Sequence, residues 1–210
     1  MGDATRAGYD AGAAAYASRF ADELDAKPFD RELLTDFAHR VAGRGTDIDL
    51  GCGPGQVAAF LAVHGVQTIG VDLSPGMVAT AQQLHPSLDV RVGDMRDLDV
   101  DDESLAGVVA FYSIIHIPRD EVREVLAELL RVLRPGGLLL LAFHDGDRVE
   151  HIDEFLGEQV SLDFVFFDRT EMERHLDDAG FELVWSRQRG PYPDVEAPTE
   201  RTYLLARRPA

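Results

Sequence analysis

The sequence predicts an α/β fold, a doubly wound and mostly parallel sheet of seven strands with helices on both faces. Three observations carry that reading. From residue 46 onward short apolar runs alternate with helical patterns, which makes βαβ units. A glycine-rich turn, Gly51-Cys52-Gly53-Pro54-Gly55, joins the first strand to the helix after it. An acid, Asp72, ends the next strand. Right-handed crossovers leave a crevice at the carboxyl ends of such strands, and a ligand is expected there.

The elements follow in order. Tyr9, Ala13, Tyr16, Phe20 and Leu24 recur at steps of three and four and predict an N-terminal helix with one apolar stripe. Lys27-Pro28 interrupts it. Asp30 is expected to cap a second helix over 31–42, with Leu33, Leu34, Phe37 and Val41 on one face. A strand over 47–50 runs into the glycine turn, and a helix follows over 55–64. A second strand over 66–71 ends at Asp72, and Ser74 caps a helix starting near Pro75. A third strand is expected over 88–92. The fourth, 106–112, is nearly continuous in apolar residues, as suits a strand covered on both faces. Val122, Val125, Leu126, Leu129, Leu130 and Leu133 give the clearest helical stripe, stopped by Arg134-Pro135-Gly136-Gly137. A fifth strand is expected over 138–143. The 145–168 stretch is less regular; Leu162, Phe164 and Phe166 share one face of a strand pattern there, with Val165 and Phe167 on the other. A helix over 169–179 ends at Gly180, and 181–188 and 202–206 complete the sheet.

Composition narrows the function. The 210 residues carry 38 acids and 20 basic residues, a formal charge of −18, which argues against nucleic acid as the main partner. Lys27 is the sole lysine. Cys52 is the sole cysteine, so no internal disulfide can form, and a cytoplasmic location is expected. No apolar run reaches 18 residues, and the N-terminus lacks a secretory pattern, so no membrane span is expected. The acidic run 145–154 has no metal-ligand spacing and reads as a solvated loop, so no metal is expected.

The chemistry concentrates in Asp49-Leu-Gly-Cys-Gly-Pro-Gly55 with Asp72, which lies 21 residues past Gly51. Glycines at a strand-to-helix turn let backbone approach a ligand, the helix N-terminus favours an anionic group, and an acid at that distance can hold ribose hydroxyls. A Walker A loop requires lysine, and the turn has none. The dinucleotide fingerprint requires glycine at its sixth position, where Gln56 stands. Cys52 has no partner histidine in sequence and reads as a small residue of the turn rather than a nucleophile.

These residues resemble a class I, Rossmann-like S-adenosylmethionine-dependent methyltransferase of the small-molecule type. The likeness rests on Ile48-Asp49-Leu50-Gly51-Cys52-Gly53-Pro54-Gly55, then Gly70-Val71-Asp72-Leu73-Ser74 with Met77, Gly93-Asp94-Met95, Phe111-Tyr112-Ser113-Ile114-Ile115-His116, and Arg131-Val132-Leu133-Arg134-Pro135-Gly136-Gly137. It covers 46–144, about half of the chain, with the segments in register.

The resemblance implies a cofactor, S-adenosylmethionine with S-adenosylhomocysteine as product, and an antiparallel last strand. Gly51, Cys52, Gly53 and Gly55 would form the loop under its methionine part, with Asp49 near its amino group. Asp72 would hold the ribose, Leu73 and Met77 would pack on adenine, Asp94 would accept from the adenine amino group, and Met95 would offer backbone N–H. Phe111 and Tyr112 would line the methionine end, and Tyr16 would close over the cofactor.

The resemblance also implies a single methyltransferase domain over 1–210. Its parts would be lid helices at 1–44, a cofactor-binding core at 45–144, an insert at 145–168 completing the lid, and a C-terminal helix and strands at 169–210. The acceptor is expected to be a small molecule of the secondary-metabolite kind, methylated on oxygen or nitrogen; the alternative is a cofactor-binding protein of the same fold without methyl transfer, a sensor or an enzyme of another reaction type. His116, at the end of the fourth strand, is the candidate general base. Tyr9, His116 and His144 are the candidate acceptor-lining residues.

Overall fold

The first strand, β1 (Thr46–Leu50), lies at the centre of the molecule because four of its five residues are buried. The computed structural model describes residues 2–210. The other sheet strands are β2 (Gln67–Asp72), β3 (Asp89–Val92), β4 (Leu105–Phe111), β5 (Leu133–His144), β8 (Glu182–Arg189) and β9 (Arg201–Arg207). They form one seven-stranded sheet in the order β3-β2-β1-β4-β5-β9-β8. β1, β2, β3, β4 and β5 pair in parallel, and β9 runs antiparallel to both of its neighbours. The order reverses between β1 and β4, so the carboxyl ends of these two strands open a crevice at the switch point.

Helices cover both faces. On one, α5 (Val122–Val132) and α6 (Arg169–Ala179) press Val125, Leu126, Leu129, Met172 and Leu176 onto Val108, Leu139 and Leu141. On the other, α2 (Pro28–Val41) and α3 (Gln56–Val63) press Leu34, Phe37, Val57 and Leu61 onto Val109 and Leu140. Two local signals act as the sequence predicts. The Ser74 hydroxyl accepts from Met77 N at 3.0 Å and caps α4 (Pro75–Leu84), and Gly180, at φ 95°, ends α6. No helix of the described residues is long and apolar enough to cross a membrane.

Several expectations change. The N-terminal helix α1 (Asp3–Phe20) stops at Phe20, and Leu24 falls in a separate 3-10 turn, Glu23–Ala26. Asp30 caps nothing: α2 starts at Pro28, and the buried Asp30 carboxylate accepts from Tyr203 Oη at 2.5 Å and from Arg189 Nη2 at 2.8 Å. The helix stops before Arg134–Gly137 as expected, but β5 starts at Leu133 and not at 138, with this segment as its irregular first part. The 145–168 stretch is more ordered than its pattern suggests. β6 (Val149–Phe155) and β7 (Glu158–Val165) pair as an antiparallel hairpin separate from the main sheet.

Candidate functional site

The glycine turn is folded by sterics. Gly51 has φ +66°, and a Cβ placed on it would lie 2.3 Å from the Ser113 Cβ. Only glycine suits a left-handed residue under so close a neighbour. The turn is then tied to the end of β2: Asp72 Oδ2 accepts from Gly53 N at 2.8 Å, and Asp72 Oδ1 accepts from Ser74 N at 2.9 Å. Burial pushes the Asp72 carboxyl up, and these two N–H groups oppose that shift. Each oxygen keeps lone pairs for another donor. Asp49, also buried, accepts from Ala58 N at 3.0 Å, and burial raises its pKa to about 7.

A cavity of about 320 Å³ opens over this turn. From the turn and β2 it is lined by Asp49, Gly51, Cys52, Gly53, Asp72, Leu73 and Met77. Asp94 and Met95 join from the loop after β3, and Phe111, Tyr112 and His116 from the end of β4. His144 lies at the end of β5, while Tyr9 and Tyr16 come from α1, which lies across the top. Gly55 does not line the cavity. Its φ of +88° sets the entry into α3, and a Cβ there would face His85 and Ala81. Asp94 lines the cavity with its carboxylate already engaged: Arg96 Nη2 donates at 2.6 Å, Nε at 3.0 Å and the Arg96 backbone N at 3.0 Å. Burial works against that charge, and the Arg96 contacts outweigh it, holding the carboxyl below its usual range. Burial, with Asp49 and Asp72 nearby, drives the Cys52 thiol well up, which removes it as a nucleophile.

The far half of the cavity is aromatic. Phe155 of the hairpin packs on Tyr9 and Tyr16 of α1, Phe164 packs on Phe155 and His116, and Phe20 packs on Tyr16. Leu162 packs instead on Gly8, while Phe166, Val165 and Phe167 are buried in the body of the protein. His116 Nδ1 is 2.9 Å from the Asp163 carbonyl oxygen and Nε2 is 2.7 Å from Tyr9 Oη. Burial lowers its pKa to about 4, so it is neutral near pH 7. His144 Nδ1 is bonded to Thr199 Oγ1 at 2.8 Å. Burial, followed by the charges of Arg201 and Lys27, lowers its pKa to about 4 as well.

Sequence reasoning missed one wall. Lys27, Glu23, Glu196 and Arg201 line the cavity and are paired among themselves, with Lys27 Nζ at 2.5 Å from Glu23 and 3.5 Å from Glu196, and Arg201 Nε at 3.2 Å from Glu196. It also missed Gln56 and Ser113, whose Oε1 and Oγ are buried without a hydrogen-bond partner and belong to residues on the cavity wall. For Ser113 the available signal was its place directly after Phe111-Tyr112 at the end of β4.

A cavity at the switch point of a doubly wound sheet, floored by a glycine turn and flanked by an acid at the end of β2, defines a nucleotide-type cofactor site. Comparison with known proteins names the class. Residues 48–137 match a family described as "Methyltransferase domain". A probable S-adenosylmethionine-dependent methyltransferase from Mycolicibacterium smegmatis is 36% identical over 105 residues, covering 50% of this chain and 40% of that protein. An O-methyltransferase from Aspergillus sclerotiorum is 35% identical over 102 residues, covering 45% and 38%. The chain thus spans about two-fifths of the length of these curated relatives. The Burkholderia thailandensis 1,6-didemethyltoxoflavin-N1-methyltransferase, solved with 1,6-didemethyltoxoflavin and S-adenosylhomocysteine, superposes with a TM-score of 0.68 at 19% identity. That match covers 100% of this chain and 92% of that one.

Residues 48–137 thus resemble a methyltransferase domain, and the chain shares the fold of solved S-adenosylmethionine-dependent methyltransferases. S-adenosylmethionine is the cofactor of that class, and the residues present fit it. Gly51 and Gly53 leave the floor without side chains, Asp72 is aimed by two backbone N–H groups, and the orphaned Gln56 and Ser113 oxygens await donors.

Proposed function

We propose that this protein methylates oxygen or nitrogen of a small, largely uncharged acceptor. The observation that carries the reading is the continuity of one cavity from the Asp72–Gly53 floor into the aromatic chamber under α1 and the hairpin. Asp72 holds both ribose hydroxyls, Leu73 and Met77 pack on the adenine, and Asp49 faces the amino group of the methionine part. Met95 offers backbone N–H to the adenine. Asp94 shares its remaining lone pairs with the adenine amino group, because Arg96 takes the rest. When bound, the cofactor supplies a methyl group activated on a sulfonium centre. The protein's own task is then to align the acceptor and exclude water.

α1 and the 145–168 hairpin form the roof that does this, over the 45–144 core and backed by 169–210; α2, expected as a second lid helix, covers a face of the sheet instead and lines none of the cavity. Tyr9, Phe155, Phe164 and His144 surround the acceptor, and Tyr16, beside Gly53, closes over the cofactor. The cations on that wall are already paired with Glu23 and Glu196, which favours an uncharged ligand over an anionic one. The charge of −18 argues in the same direction against a polyanionic acceptor.

The test is thermal unfolding with S-adenosylmethionine, S-adenosylhomocysteine and NAD in separate samples. A ligand at about 100 times its Kd stabilises by roughly 2.7 kcal/mol, which for a chain of this size raises the midpoint by about 5–11 °C. A rise with the two sulfur compounds and none with NAD supports the reading. No rise with either sulfur compound overturns it.

A further inference from the structure

We propose that Tyr9 and His116 form a proton relay in which the Tyr9 hydroxyl, and not the imidazole itself, takes the proton of a hydroxyl acceptor. The proposal rests on the methyl-transfer reading and narrows it to acceptors that must lose a proton, such as phenols and enols.

The geometry fixes the direction of the relay. The Asp163 carbonyl oxygen can only accept, so the Nδ1 atom 2.9 Å away carries the proton. A neutral imidazole then has its lone pair on Nε2, and the Tyr9 hydroxyl at 2.7 Å is the donor to it. Both ring nitrogens are therefore engaged, and the imidazole has no free edge for an acceptor. Tyr9 lines the cavity, and its oxygen, while donating to Nε2, keeps lone pairs for an incoming O–H.

Tyr9 is held there from both sides. Gly8 lets α1 approach β7 closely, since a Cβ there would lie 3.1 Å from Leu162 Cδ2. Asp10 Oδ1 accepts from Ser74 Oγ at 2.6 Å and from Gly76 N at 2.8 Å, which ties the next residue of α1 to the start of α4. The His116 and Tyr9 rings meet edge to face with centroids 5.2 Å apart, and Phe155 packs on Tyr9 from the hairpin.

The step balances. The acceptor oxygen forms a bond to the methyl carbon while the carbon–sulfur bond breaks and its electron pair stays on sulfur. The acceptor's proton passes to the Tyr9 oxygen, and the Tyr9 proton passes to His116 Nε2. Tyr9 is left neutral and His116 becomes the imidazolium. One positive charge leaves the sulfur and one arrives on the ring, so the buried site keeps its net charge. Burial, with Asp72 nearby, makes a Tyr9 phenolate costly, and burial likewise disfavours the imidazolium, so it is the loss of the sulfonium charge that lets the ring take the proton.

The test uses the whole chain and begins with ¹⁵N NMR of the imidazole, with and without S-adenosylhomocysteine, in the wild type, Tyr9→Phe and, for assignment, His116→Asn. The expected result is a protonated Nδ1 and an unprotonated, hydrogen-bonded Nε2 whose resonance alone moves in Tyr9→Phe. A protonated Nε2, or an Nε2 resonance unmoved in Tyr9→Phe, overturns the relay. Release of S-adenosylhomocysteine is then followed over a panel of phenols and matched arylamines. Tyr9→Phe and His116→Asn should each lower kcat on phenols by about 10²–10⁴-fold, with cofactor affinity kept. The double variant should be no slower than the worse single one. A Tyr9→Phe kcat within about threefold of wild type, or turnover of arylamines and of no phenol, overturns the proposal. If calorimetry finds no cofactor binding by the wild type while the tautomer is as expected, the methyl-transfer reading fails and the hydrogen-bond geometry stands.

Discussion

Replacing Gly51 by alanine tests the steric account of the cofactor floor. The residue has φ +66°, where an alanine costs about 1–2 kcal/mol. The new methyl group would also lie 2.3 Å from the Ser113 Cβ, which is buried and cannot swing away. Overpacking of this kind costs about 1–3 kcal/mol. Together the two effects predict a loss of roughly 2–5 kcal/mol and a midpoint lowered by about 4–20 °C. Urea unfolding measures it, and a second background separates the two causes. In Ser113→Gly the struck Cβ is gone, so the Gly51→Ala penalty should shrink by about 1–3 kcal/mol while the conformational part persists. An equal penalty in both backgrounds, to within about 0.5 kcal/mol, would refute the contact as its source.

Other predictions follow from the same geometry. Asp72→Ala removes the acceptor of the Gly53 and Ser74 N–H groups and the two proposed ribose contacts, so S-adenosylhomocysteine affinity should fall by about 10²–10⁴-fold, at about 1.5–3 kcal/mol per hydrogen bond to a charged group; calorimetry giving an unchanged Kd removes Asp72 from the site. Asp47 is fully buried on β1, its oxygens make no well-formed hydrogen bond, and burial raises its pKa to about 7 against the partial opposition of Arg134 and the Gly107 backbone. The folded state therefore holds a proton that the unfolded state releases near pH 4, and the Asp47 contribution falls as pH rises from about 4 to 7. Asp47→Asn should stabilise by about 1–3 kcal/mol at pH 8 and flatten that part of the stability profile, which denaturation at several pH values will show. Glu196 is paired with Arg189, Arg201 and Lys27, with its carboxyl held at about 2 by Arg189 despite burial. Glu196→Ala leaves those cations without their partner and should cost about 3–5 kcal/mol, read as a lower unfolding midpoint.

The fold was legible because its signals are periodic and local. The α5 stripe and the buried run of β4 identify their elements without reference to anything distant in the chain. The cavity floor was legible for a similar reason: Asp49, the glycine turn and Asp72 belong to one βαβ unit, and the next segments bring Met77, Asp94 and Met95 to the same wall. The rest depends on contacts that sequence spacing does not display. Asp30 reads as a cap from its neighbours, yet its partners Arg189 and Tyr203 stand 159 and 173 residues away. Glu196 lies in an irregular segment between β8 and β9 with no period to mark it, and still reaches Lys27. Gly55 shows the converse case. It shares the motif with Gly51 and Gly53, but its φ of +88° and the close approach of His85 and Ala81, not the cavity, call for glycine there.

The placement of Tyr9 ties closure to chemistry. Were the proton acceptor on a core strand, the floor alone would be active and the roof would serve only to exclude water. Here the hydroxyl comes from α1, the imidazole from the turn after β4, and the carbonyl that fixes the imidazole tautomer from β7 of the hairpin. Two of these three pieces are roof. If the relay operates, the base exists only when α1 and the hairpin are both in place, so methyl transfer cannot begin with the acceptor exposed to water. Perturbing a roof contact remote from the acceptor should then act on kcat. Asp10→Ala removes the two hydrogen bonds that moor α1 to α4 and leaves Tyr9 and His116 intact. It should lower kcat more than cofactor affinity. A variant with reduced affinity and undiminished kcat would show that the roof serves binding alone.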